Sequence, residues 1–273
     1  MSKKLGIIAG AGALPHCLIE ACERMHRDFF VIGLKGQADP KEFDKALPMA
    51  WVRLGAVGKA FQLLKKNKVE EVVMIGAVRR PSFVGLWPDY RGLKTIAKLG
   101  LKALGDDALL KFIVKEIEKE KMTVVGIDKI LPHLLAKKGV YTYAVPTPQD
   151  NIDIQRGKEV AHALGKADVG QSVIVQQGLV LSVEGIEGTD ALIRRSADLK
   201  RKGVGGVLVK MCKPQQDRRV DLPTIGPQTV QAVKNAGFVG IAVQAEAVLF
   251  SQAEQMIKLA NQLGIFIVGV DAK

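Results

Sequence analysis

The chain has 273 residues, 48% hydrophobic, 25% charged and 5% aromatic, proportions that exclude a disordered, collagenous or fibrous protein. Its length suits one large domain or two smaller ones, either with a sizeable core. Forty Lys and Arg against 28 Asp and Glu give a net charge of +12, which suits a nucleic acid, a phosphorylated metabolite or an anionic membrane surface.

Residues 5–9 form a short apolar run that ends in Gly10-Ala11-Gly12 and leads into a helical pattern over 14–25, predicting strand, glycine turn and helix. Strand signals follow at 29–34, 51–54 and 71–75, with a helix over 57–66 between the last two. This alternation predicts a parallel sheet covered by helices, a Rossmann-like arrangement. A loop with Pro81, Trp87 and Pro88 comes next, then two helices separated by Gly105-Asp106-Asp107, with the acids placed to cap the second. Residues 122–127 return to strand. Pro146 and Pro148 restrict themselves and their predecessors, so the domain boundary is placed there, giving domains 1–145 and 146–273.

The second half predicts a helix over 152–164, a hairpin over 172–183 turning at Gln177-Gly178, a helix over 189–202 and a strand at 207–211. It continues with a helix over 229–236, a strand at 240–243, a helix over 251–263 and a strand at 265–270. This is a second, mixed α/β domain.

Several chemistries drop out. With three Tyr, two Trp and no recognisable nucleic-acid motif, base stacking is poorly served, and the expected partner is a small anionic substrate or a lipid surface. His16, His26, His133 and His162 form no metal pair, Cys17, Cys22 and Cys212 no CxxC, and neither a GxxxxGK[ST] phosphate loop nor a GxSxG elbow occurs. The first residues lack the features of a signal peptide, and no apolar run approaches 18 residues. A cytoplasmic location is expected, with any membrane contact peripheral.

Gly10-Ala-Gly12-Ala-Leu-Pro15 starts like a dinucleotide fingerprint, but Pro15 takes the third glycine position and Gly33-Leu34-Lys35 stands where a ribose-binding acid belongs. Anion contact and a structural turn both remain open for Gly10 and Gly12. Arg79 and Arg80 lie just past a strand's carboxyl end, where phosphate contact and a solvated loop are the alternatives. Between 90 and 104, Leu93, Ile96, Leu101 and Leu104 make an apolar stripe flanked by Arg91, Lys94, Lys98 and Lys102, suited to packing or to anionic lipid. The densest polar runs are Glu184-Gly-Ile-Glu187-Gly-Thr189-Asp190, leading to Arg194 and Arg195, and Lys213-Pro-Gln-Gln216-Asp217-Arg218-Arg219-Val-Asp221. Carboxylates beside basic groups in loops can hold a hard cation and neutralise phosphate charge, or simply cap helices and pair on the surface.

The segments from Gly6 to Pro15, Gly76 to Pro81, Gly105 to Leu110, Asp168 to Gln171, Val183 to Ala191 and Lys213 to Gly226 resemble the UDP-2,3-diacylglucosamine pyrophosphatases of lipid A biosynthesis, in the form without a histidine-rich metallophosphoesterase signature. The resemblance implies two α/β domains joined by a linker and an Mg²⁺-dependent hydrolase that yields UMP and 2,3-diacylglucosamine 1-phosphate (lipid X). By position, Asp221 matches the family's essential acid, which would hold metal or activate water. Asp217 and Glu187 are the further candidate metal ligands, with Asp190 in support. Gly10, Gly12, Arg79, Arg80, Thr189, Asp190, Arg194, Lys213, Gln216 and Arg218 are the candidate substrate contacts. Peripheral contact with the inner face of the inner membrane and a homodimer are both compatible with this expectation. The alternatives are a nucleotide-cofactor-dependent oxidoreductase and a non-enzymatic binder of anionic lipid.

Overall fold

The computed structural model describes residues 2–78, 89 and 106–272. Arg79, Arg80, the basic stretch 90–104 and the side chains of Asp106 and Asp107, expected to cap, lie outside what is described. The chain forms two compact units, residues 1–132 with 217–221, and residues 133–216 with 222–273.

In the first unit, strands β1 (Leu5–Ala9), β2 (Phe29–Lys35), β3 (Met49–Arg53), β4 (Glu71–Ile75) and β5 (Thr123–Val124) lie in the order β3-β2-β1-β4-β5, all parallel. Parallel strands carry helices on their faces and so read as unbroken apolar runs; Leu5, Ile7 and Ala9 of β1 are fully buried. The helices Val57–Lys66 and Asp106–Lys119 contribute Phe61, Leu64, Val114 and Ile117 to a core with Phe30, Ile32, Val52 and Val72. The strand expected over 122–127 is only two residues long, because the chain turns into the short helix Ile127–Ile130. The Rossmann-like expectation holds.

The second unit is built on β6 (Gly139–Val140), β7 (Ser172–Gln176), β8 (Leu179–Val183), β9 (Val207–Lys210), β11 (Gly240–Gln244) and β13 (Phe266–Val270), while β10 (Thr224–Ile225) and β12 (Leu249–Phe250) form a separate parallel pair. The six-stranded order is β6-β13-β11-β9-β7-β8, with β9, β11 and β13 mutually parallel and the β6–β13, β9–β7 and β7–β8 pairings antiparallel. Ile154 and Ala161 of the helix Pro148–Lys166 pack with Val173, Val175, Val207 and Val209. Helices Thr189–Ser196, Pro227–Asn235 and Ala253–Leu263 supply Leu192, Ile193, Val230, Val233, Met256 and Ala260 to a core with Ile174, Leu208, Ile241 and Ile267. The mixed α/β expectation also holds.

The units part at Pro132/His133, earlier than the 145/146 boundary read from the prolines. The intervening segment carries β6, which pairs antiparallel with β13, and Tyr141 N–H donates to Ile267 O at 2.9 Å. Pro148 opens a helix, where its missing N–H costs nothing. Thr147 caps that helix, its hydroxyl accepting from Asp150 N–H while the Asp150 carboxylate accepts from Thr147 N–H. The helix expected to run to 202 ends at Ser196 and tightens into a 3-10 turn. The hairpin turns at Gln177 and Gly178, both at positive φ (56° and 76°), as a two-residue primed turn requires.

Candidate functional site

In the second unit the carboxyl end of β9 gathers polar groups. Lys210, 7% exposed, donates from Nζ to Thr189 Oγ1 at 2.9 Å and to the Thr224 carbonyl at 3.1 Å. Thr189 donates to Glu184 Oε1 at 2.7 Å, and Glu184 Oε2 accepts from Gln171 N–H at 3.1 Å. The side-chain oxygen of Gln171 is buried without a hydrogen-bond partner among the described residues. Two residues past β9 the chain makes a tight polar turn. Gln216 Oε1 accepts from Lys213 N–H and from the Cys212 thiol, both at 3.1 Å, and Cys212 N–H donates to Gln244 Oε1 at 3.0 Å. This is the carboxyl end of the three parallel strands of the mixed sheet, the end at which open parallel sheets bind ligands.

The sequence-derived candidates of this unit separate. Thr189 and Gln216 stand within these networks. Lys213 pairs with Asp168 at 2.8 Å. Glu187 binds Arg195 through Nε at 3.2 Å and Nη2 at 2.8 Å, and that bonding holds its carboxyl below the usual range. Asp190 and Arg194 are exposed on the helix they share.

In the first unit, Gly10 serves a backbone crossing. Ala11 N–H donates to Ala77 O and Ala77 N–H to Ala11 O, both at 2.8 Å, bridging the turns that follow β1 and β4. A Cβ on Gly10 would stand 2.5 Å from Ala77 O, so the residue is glycine for close approach of protein to protein. Gly12 differs: at φ +96° it faces open space, and its lack of a side chain answers to the backbone angle.

The segment 217–221 belongs with this same unit because Val220 packs against its core and Arg219 ties it down. Arg219 donates from Nε and Nη2 to the two Asp217 oxygens, at 3.0 and 2.7 Å, and from Nη1 to Glu118 Oε1 at 2.8 Å. These bonds hold the Asp217 carboxyl below its usual range and raise the Arg219 guanidinium. Arg218 lies 3.8 Å from Asp128. Asp221 is half-buried, and its N–H donates to Asp217 O at 3.1 Å, closing a turn. Asp217 and Glu187, expected as metal ligands, are thus each engaged by an arginine. Among the described residues no group of three His, Cys, Asp or Glu could hold a metal ion.

Sequence reasoning gave no site role to Lys210, Gln171 or Gln244 and did not pair Arg219 with Glu118. A signal for Lys210 was there, a lysine closing the apolar run Val207-Leu-Val. For Glu118 there was none, since only the fold brings it to Arg219. No helix among the described residues is long and apolar enough to cross a membrane.

Comparison with known proteins covers both units. The family model of the LpxI N-terminal domain matches residues 4–134 and that of the LpxI C-terminal domain residues 137–268. A UDP-2,3-diacylglucosamine pyrophosphatase LpxI from Caulobacter vibrioides is 42% identical over 276 residues, covering 98% of each chain. Among solved structures, an N5-carboxyaminoimidazole synthase from Aspergillus clavatus aligns with 73% of this chain and 44% of its own, at 13% identity and a TM-score of 0.24, too low to bear on fold or ligand. With both halves matched in order and one relative aligned almost end to end, this chain belongs to the LpxI family.

Proposed function

We propose that this protein hydrolyses the pyrophosphate bond of UDP-2,3-diacylglucosamine to UMP and 2,3-diacylglucosamine 1-phosphate in lipid A biosynthesis, with Mg²⁺. The observation that carries the reading is the 42% identity over 98% of both chains with a relative bearing that name.

The chemistry is attack of water on one phosphorus of the diphosphate, with cleavage of the bridging P–O bond. Asp221 accepts the proton of the attacking water, a role that needs a carboxylate ionised at neutral pH. The electron pair of the broken bond leaves on the departing phosphate. Magnesium usually takes only one or two carboxylates and fills its shell with phosphate oxygens and water. Asp221 with the diphosphate suits that pattern, whereas a cage including Asp217 and Glu187 does not, given their arginine partners. Mg²⁺, when bound, offsets the diphosphate charge. Lys213, Arg194, Arg218, Arg79 and Arg80 add positive charge, and Gly10, Gly12, Thr189, Asp190 and Gln216 complete the proposed contacts. An enzyme with a net charge of +12 working from the cytoplasm on the inner face of the inner membrane suits an anionic lipid substrate.

The oxidoreductase alternative is disfavoured by Pro15 at the third glycine position of the fingerprint and by Gly33-Leu34-Lys35 where a ribose-binding acid belongs. The test is mass-spectrometric detection of UMP and the lipid monophosphate from purified protein, substrate and Mg²⁺, beside EDTA-treated protein and Asp221→Asn. Turnover by the metal-replete wild type, lost by about 100-fold or more in the variant, is expected. A folded wild type with no turnover withdraws the reading; full activity in Asp221→Asn withdraws the acid.

A further inference from the structure

We propose that Lys210 is a positioning residue for the reaction, its buried ammonium locking together the two loops that carry the candidate chemistry; the inference rests on the hydrolase reading for its kinetic consequence. Burying an ammonium group costs several kcal/mol unless it is well compensated, and an apolar side chain of similar volume is often neutral or stabilising in its place. Strand β9 buries Val207, Leu208 and Val209 completely and then ends on Lys210, 7% exposed. Packing alone would be met by methionine there.

The contacts show what the charge is used for. One Nζ hydrogen bond goes to Thr189 Oγ1, on the first residue of the helix that follows the Glu184–Gly188 loop; another goes to the Thr224 carbonyl. Thr189 in turn donates to Glu184, itself 6% exposed. Cation and carboxylate therefore sit on either side of one hydroxyl, which accepts from one and donates to the other. Ser172 Oγ lies 3.3 Å from Thr189 Oγ1 and joins the same network.

Thr224 lies three residues beyond Asp221 in the sequence. The Pro223 carbonyl accepts from Leu249 N–H at 2.8 Å and the Thr224 carbonyl from Lys210, so two successive carbonyls after Asp221-Leu222 are anchored, one by backbone and one by the ammonium. Lys210 thus anchors, within the second unit, the segment that follows Asp221-Leu222 in the sequence. The same ammonium fixes the start of the helix bearing Arg194. Glu184 holds Thr189 in the orientation that accepts from Lys210.

The experiment compares wild type with Lys210→Met, Thr189→Val, Thr189→Ser and the Lys210→Met/Thr189→Val double variant, by steady-state kinetics on UDP-2,3-diacylglucosamine and by amide hydrogen exchange. Losing a charge-assisted hydrogen bond is expected to lower kcat by about 10- to 100-fold, with KM changed by less than about threefold. The double variant should lose no more than the worse single one, since both break the same relay, and Thr189→Ser should recover most of what Thr189→Val loses. Exchange in 184–190 and 222–226 should accelerate about tenfold or more, while β11 keeps its protection. Unchanged exchange in both loops, additive kinetic losses, or a fall in protection spread evenly through the unit would overturn the inference. If wild type fails to turn over substrate while the two loops still loosen in Lys210→Met, the clamp stands and the hydrolase reading falls.

Discussion

Replacing Asp217 by Ala removes the anchor of the segment that returns to the first unit, and its cost can be worked from the geometry. The carboxylate accepts three bonds from Arg219, from Nε at 3.0 Å, Nη2 at 2.7 Å and the backbone N–H at 3.1 Å. The Asp217 side chain is 13% exposed and that of Arg219 45% exposed, so the ion pair is screened to within about 1 kcal/mol. The backbone bond adds about 1 kcal/mol. Arg219 keeps Glu118, which limits the loss, and a total of about 1–2 kcal/mol is expected, a fall in Tm of about 3–6 °C. The pH dependence follows from the lowered carboxyl pKa. A group ionising more readily in the folded than in the unfolded state contributes its full stability above its unfolded pKa, about 4 for aspartate. That contribution is lost as pH falls through the lower folded value. Urea unfolding of wild type and Asp217→Ala from pH 7 to pH 2.5 should therefore give a gap that is constant down to about pH 4 and closes below it. A gap that persists unchanged at pH 2.5, or none at pH 7, would refute the ion-pair account.

Three further perturbations test conformational roles. Gly10→Ala places a Cβ against the Ala77 and Gly76 backbone, at 2.5 to 2.9 Å, and should destabilise by about 3 kcal/mol or more. Gly12→Ala meets nothing within 4 Å and bears only its left-handed backbone angle, at about 1–2 kcal/mol; equal losses in urea would show the crossing to be unimportant. Thr147→Ala removes the capping hydroxyl of the helix Pro148–Lys166 and should cost about 1 kcal/mol, read as a lower urea midpoint with an unchanged m-value.

What the sequence determined by itself was local. The apolar runs at 5–9, 29–34 and 71–75 have few ways to be buried except as parallel strands, and the period-3.6 stripes between them have to cover that sheet. The turn at Gln177-Gly178 and the motif segments around Asp221 were equally legible, since each depends on neighbours in the chain. Pro148 misled because a proline is as well suited to opening a helix as to breaking one, and Thr147 with Asp150 decides between the two. The partners of the charged groups belong to the tertiary structure. Asp217 and Glu187 read as available carboxylates until Arg219 and Arg195 are seen on them. Lys213 reads as an unpaired cation until Asp168, 45 residues away, is found beside it. A charge acts over a few ångströms of space whatever the separation along the chain, so composition and motif show that ionic chemistry is present, and only the fold assigns each ion its counter-ion.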